Sequence, residues 1–161
     1  MAIPFRESLV FSNDEESQMS YSFQNPSAEV IESYLKSAKT VAIVGLSHRK
    51  EAASYQVAHF LQAAGYRIIP VNPKLEGQEL LGEHVYAYLK DIPFSVDIVD
   101  VFRRSECLPD VAYDFLETKD KVFWSQIGLE NEEAENILRQ ANRQDIVMNR
   151  CTKIEYMRLF V

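Results

Sequence analysis

The sequence predicts a three-layer α/β domain built on a mainly parallel sheet of about five strands, and three observations carry that prediction. Short apolar runs alternate with segments whose apolar residues recur every three or four positions, the pattern of strands and their covering helices taken in turn. Residues 40–74 read as one complete strand, turn, helix and strand, with Gly45 stopping the first apolar run. The 161 residues, 47% apolar and 25% charged, suit one core that buries roughly two thirds of the unfolded surface, so a second core is not required.

Taken in order, residues 1–24 mix short apolar pieces with a polar, acidic stretch at 13–18 and read as an N-terminal arm outside the alternating pattern. The domain is expected over 25–161. Asn25 followed by Pro26 has the form of a helix start. Val30, Ile31, Tyr34 and Leu35 follow at helical spacing, and Lys36 and Lys39 place positive charge at the helix end. Residues 40–44 form the first strand, 53–64 a helix and 66–71 the second strand. Pro73, Gly77 and Gly82 mark a long connection, with 85–86 as a very short strand and 88–92 as a helical turn ended by Pro93.

Residues 96–102, VDIVDVF, are β-branched enough for a buried strand, in which Asp97 or Asp100 needs a hydrogen-bonding partner if it faces the core. Leu108, Val111, Ala112, Phe115 and Leu116 give the next helix its apolar face over 108–117. A strand at 121–124 follows. The helix at 130–142 has Ala134, Ile137, Leu138 and Ala141 three and four apart, with Glu130, Glu132, Glu133 and Glu135 near its positive end. Residues 145–148 are the last parallel strand.

Composition narrows the function classes. A formal charge of −7 opposes attraction to a nucleic-acid backbone, yet leaves room for a small anion held by backbone amides and one or two local cations. Two cysteines, Cys107 and Cys151, are too few for a disulfide scaffold, and no apolar run reaches 18 residues. A cytoplasmic protein that neither spans a membrane nor binds nucleic acid is expected. His48, His59 and His84 make no metal motif with the cysteines.

The candidate ligand residues lie where strands end. Gly45, Leu46 and Ser47 follow the first strand, where glycine lets backbone approach a ligand and serine adds a hydroxyl; a plain strand-to-helix turn uses the same residues. The pattern is neither GxGxxG nor GxxxxGK[ST]. Val71, Asn72, Pro73 and Lys74 end the second strand with a lysine in place of the acid that a nicotinamide dinucleotide site presents there. Arg103 and Arg104 follow the next long strand, available to phosphate or to Glu106. Ser54 and Tyr55 open the first crossover helix, where they contact a ligand or simply cap and pack.

As an ordered set, GLS at 45–47, SY at 54–55, GYRIIPVNPK at 65–74, GQELLGEHVY at 77–86, VDIVDVFRR at 96–104 and NRCTKIE at 149–155 resemble the small bacterial coenzyme A-binding proteins. These are similar to the N-terminal coenzyme A-binding domain of the succinyl-coenzyme A synthetase α subunit. The resemblance covers about residues 26–158 and implies a Rossmann-like fold with coenzyme A or an acyl-coenzyme A as ligand. It implies that 45–47 form the first phosphate-facing loop, that 71–74 border the nucleotide, and that Phe102 and Arg103 lie at the next strand end. Trp124, Gln126, Ile127 and Gly128 are implied to face the ligand channel.

One departure is Ala52 and Ala53, where related proteins carry Arg-Pro, so the local phosphate contact and the rigid helix entry are either weaker or supplied by nearby His48, Arg49 or Lys50. The synthetase's phosphorylated histidine belongs to a later domain that this chain does not contain. A binding or regulatory role without independent catalysis is therefore expected. The alternatives are a nicotinamide-dependent oxidoreductase and a structural interaction protein, with a protein partner or self-association left open.

Overall fold

The computed structural model describes residues 20–161, so the expected arm lies outside the described residues as far as position 19. Five parallel strands form the main sheet: β1 (Thr40–Val44), β2 (Arg67–Val71), β5 (Ile98–Val101), β6 (Val122–Ser125) and β7 (Ile146–Val147), in the spatial order β2-β1-β5-β6-β7. The predicted Rossmann-like, three-layer α/β architecture is what the chain adopts.

Alternation along the strands divides the apolar residues of the domain between the two faces of this one sheet. Ala42, Val44, Ile69, Val71, Val99, Val101 and Phe123 face α3 (Leu108–Leu116) and α4 (Glu132–Gln140), whose Val111, Phe115, Ala134 and Leu138 close that side. Val41, Ile43, Ile68, Ile98, Trp124 and Val147 face α1 (Ala28–Ser37), α2 (Ala53–Ala63) and α5 (Thr152–Phe160). Because each strand is buried on both faces, its sequence is a nearly unbroken apolar run.

The connection after β2 is more ordered than its glycines and prolines predict. Two short strands, β3 (Glu79–Leu80) and β4 (Glu83–His84), pair as a hairpin, and the expected strand at 85–86 is reduced to a parallel bridge from Tyr86 to Val71. Tyr86 donates its amide to Pro70 O at 3.0 Å and accepts from Asn72 N–H at 2.8 Å. With Tyr86 as a rudimentary third strand, the order becomes the 3-2-1-4-5-6 of dinucleotide folds. Pro70 is tolerated in β2 because the side on which it lacks an N–H is this sparsely paired edge.

One expectation needs correction at the start of the domain, and one helix at its end was not predicted. Ser27, not Asn25, caps α1: its hydroxyl accepts the Val30 amide at 3.3 Å. Asn25 instead pairs with the outer edge of the sheet, donating Nδ2 to Met148 O at 2.8 Å and accepting the Met148 amide at 3.1 Å. Just before it, Phe23 is buried against the α3 and α4 side, and the Tyr21 hydroxyl donates to Glu135 at 2.8 Å. At the other end, TKIEYMRLF forms α5, a helix the sequence pattern did not announce.

Candidate functional site

The chain runs outward from β1 to β2, then returns past β1 to β5 on the far side. The loops leaving β1 and β5 therefore diverge, and a crevice opens between them at the carboxyl edge. Its hollow of about 380 Å³ has Gly45, Asn72, Pro73 and Lys74 on one side and Phe102, Arg103, Arg104 and Cys107 on the other.

Gly45 is where this crevice is built. Its φ is +89°, its amide donates to Val71 O at 2.8 Å, and a β-carbon there would lie 2.7 Å from the Phe102 carbonyl oxygen. Only glycine fits a position that is both left-handed and in backbone contact with the next strand end. Leu46 is fully buried in the core, so the loop offers its backbone rather than this side chain. The Leu46 carbonyl accepts Asn72 Nδ2 at 2.9 Å, while Asn72 Oδ1 accepts the Lys74 amide at 2.9 Å. Asn72 thus ties the β1 loop to the turn that carries Lys74.

Ser47 donates its amide to the buried Ser54 hydroxyl at 3.0 Å, and its own hydroxyl accepts the Arg49 amide at 3.1 Å. Ser54 therefore holds the loop rather than facing the solvent. Helix α2 starts without a side-chain cap at Ala52 and without an acidic residue in its first turn, which suits an anion at its amino end. Tyr55 is half-buried and stacks on His59 with ring centroids 6.3 Å apart.

The two arginines after β5 differ. Arg104 pairs with Glu106 at 3.5 Å. Arg103 makes no ion pair among the described residues; its Nη2 lies 3.8 Å from Cys107 Sγ. Lys74 is exposed and likewise without an ion pair among the described residues. His48, Arg49 and Lys50 are exposed on the loop between β1 and α2, so the crevice is locally cationic despite the net charge.

The remaining expected residues separate into two groups. Val71 is buried in β2, and Trp124 is fully buried, donating its indole N–H to Arg150 O at 2.8 Å. Gln126 is also buried: its amide nitrogen donates to Asp100 Oδ1 at 2.5 Å and to Thr152 Oγ1 at 3.1 Å. None of these three side chains reaches the crevice surface. Ile127 is 64% exposed, and the Gly128 amide donates to Asn149 Oδ1 at 2.6 Å. Ile127 borders a second hollow of about 330 Å³ with Asn149, Arg150 and Cys151, further along the same edge. A third hollow, lined by Leu35, Tyr66 and Phe160, lies at the opposite, amino edge.

Sequence reasoning placed Cys107 in no site, although it lines the crevice, and it did not join Asp100 to Gln126. Asp100 is fully buried, and the Thr152 hydroxyl donates to its Oδ2 at 2.8 Å. Burial pushes its carboxyl up to about 7, against the Gln126 and Thr152 donors that favour the charged form. The signal was available: Asp100 stands two residues from Ile98 and so shares its buried face.

Among the described residues, no group of three or more His, Cys, Asp and Glu side chains is placed to hold a metal ion, and no helix is long and apolar enough to cross a membrane. Cys107 and Cys151 are free thiols.

A family model described as a CoA-binding domain matches residues 39–157. Protein YneT of Bacillus subtilis (strain 168) is 47% identical over 133 residues, covering 83% of this chain and 96% of that protein. A solved structure of a Thermus thermophilus protein superposes with a TM-score of 0.80 at 36% identity, over 84% of this chain and all of its own length. A hypothetical protein from Pyrococcus horikoshii OT3 gives a TM-score of 0.80 at 31% identity, over 88% of this chain and 99% of its own.

Proposed function

Because the chain belongs to the family of coenzyme A-binding domains, we propose that coenzyme A or an acyl-coenzyme A lies along the carboxyl edge of the sheet, its phosphates at loop 45–47. The observation that carries this placement is the convergence of Lys74 and Arg103, both without ion pairs among the described residues, on a glycine in contact with the next strand's backbone. Phosphates need cations and backbone donors, and the β1 loop offers both beside the uncapped start of α2. The less polar arm of the ligand then runs toward exposed Ile127 and half-buried Cys151 at the second hollow.

The function is binding or regulation, with any chemistry on the bound thioester left to a protein partner. In support, neither Cys107 nor Cys151 is hydrogen-bonded to a histidine or carboxylate among the described residues, so neither is paired with a base. The cytoplasm is the compartment in which both thiols stay reduced.

Native mass spectrometry of the protein taken directly from cells tests the ligand. A mass increase matching coenzyme A or an acyl derivative is expected, and purified protein is expected to bind coenzyme A by calorimetry. Binding of NAD or NADP in its place overturns the reading.

A further inference from the structure

We infer that Asp100 is a positioning residue for this site: its ionised carboxylate draws Gln126 and Thr152 together behind the far wall, and loss of that charge loosens the wall and weakens coenzyme A binding. The inference rests on the coenzyme A reading above.

The geometry is that of a buried tie. Asp100 lies in β5, two residues before Phe102 and three before Arg103. Its Oδ1 accepts from Gln126, the first residue after β6, and its Oδ2 accepts from Thr152, the first residue of α5. Gln126 also donates to Thr152, which closes a triangle of three buried side chains. Ile127 and Gly128 follow Gln126 directly, and Cys151 precedes Thr152. Both approaches to the second hollow are therefore tied to one carboxyl group, beside the Gly128–Asn149 and Trp124–Arg150 hydrogen bonds that also join them.

An ionised carboxylate is acceptor-only and satisfies both donors at once. A neutral carboxyl brings a hydrogen of its own into the triangle, where Gln126 Nε2 has only donors to offer; the Thr152 hydroxyl must then turn to accept it, which leaves the Thr152 hydrogen without an acceptor among the three side chains. No other charge faces the group. Its register neighbours are Ile43 of β1 and Trp124 of β6. On α5 the charged side chains are Lys153, Glu155 and Arg158, with Glu155 3.5 Å from Arg158. On α2 the titratable side chains are Tyr55 and His59, stacked on one another. Burial displaces its titration upward and the two donors oppose that displacement, leaving it near neutrality.

By linkage, a ligand that prefers the tied wall favours the ionised form and releases a proton on binding. The test is calorimetry of coenzyme A binding to the full chain from pH 5.5 to 8.5, in buffers of differing ionisation enthalpy, for the wild type and Asp100→Asn. Coenzyme A's own phosphate titrates in the same range, so the difference between the two proteins is the readout. The wild type is expected to lose about fivefold or more in affinity between pH 8 and pH 6 beyond the change seen in Asp100→Asn. The variant is expected to bind with the weaker, low-pH affinity throughout and to release less of a proton.

Identical profiles overturn the inference and leave the coenzyme A reading intact. Absence of binding at every pH overturns both. Thr152→Val gives an independent arm should Asp100→Asn not fold: removing one donor raises the Asp100 midpoint, read by carboxyl carbon NMR, and an unmoved midpoint overturns the tie.

Discussion

Gly45 and Phe102 meet backbone to backbone, with 2.7 Å between the Phe102 carbonyl oxygen and the place a β-carbon on Gly45 would occupy. The contact sets how closely the β1 loop sits to the end of β5, and so the floor of the crevice. Gly45→Ala must displace one strand end and hold alanine at a φ of +89°. A loss of about 1–3 kcal/mol in urea unfolding is expected from the backbone strain alone, with coenzyme A binding lost in calorimetry. Full binding by a stable Gly45→Ala protein would show that the ligand does not use this floor.

The cations of the crevice are expected to act unequally. Lys74→Ala and Arg103→Ala remove charges with no ion pair among the described residues, and each is expected to weaken coenzyme A binding by about tenfold or more. Arg104→Ala removes a side chain already turned to Glu106, and a change below about threefold is expected. Calorimetry at low and high salt checks the assignment, because contacts to phosphate from exposed side chains weaken as salt rises. Equal effects of Arg103→Ala and Arg104→Ala would remove the distinction.

The sheet was legible because parallel strands buried on both faces leave continuous apolar runs, as at Thr40–Val44 and Ile98–Val101. Helices with one strong face, such as Leu108–Leu116, were legible for the same reason. The hairpin of β3 and β4 was not, since two-residue strands carry no period to read. Helix α5 escaped because its exposed face carries Ile154 and Met157, which blurs the contrast that marks an amphipathic segment. At the site, strand ends gave the neighbourhood but not side-chain direction. Trp124 and Gln126 belong to the correct strand end, yet their polar atoms are taken by Arg150, Asp100 and Thr152.

Asn25 occupies the outer edge of β7 as a surrogate strand residue, exchanging two hydrogen bonds with Met148. An uncovered edge is a hazard that proteins block. Asn25→Ala frees both backbone groups of Met148, with an expected cost of about 1–2 kcal/mol in unfolding. Hydrogen exchange at the Met148 amide is expected to quicken more than exchange in β1. Unchanged protection at Met148 would deny Asn25 this role.

The buried Asp100 carboxyl also dictates how stability varies with pH. Its ordinary value of 3.8 rises to about 7 in the folded protein, with burial the main cause. Between roughly pH 4 and 7 the folded chain keeps a proton that the unfolded chain has lost, so raising the pH favours unfolding over that window. The stabilising contribution is complete below pH 4 and is gone above pH 7, a change on the order of a few kcal/mol. Asp97 opposes this. Its own burial would raise it, but the Lys39 and Thr40 amides and Lys121 hold it below its ordinary value, so its contribution is lost toward low pH. Urea unfolding of wild type and Asp100→Asn across pH 4.5–8 separates the two, with the wild type expected to lose stability relative to the variant as pH rises. The charged tie is thus costly to the empty protein under the conditions in which it shapes the site. A ligand that binds the tied form returns stability there, so the rise in melting temperature on adding coenzyme A is expected to be larger at pH 8 than at pH 6 in the wild type, and more nearly equal in Asp100→Asn.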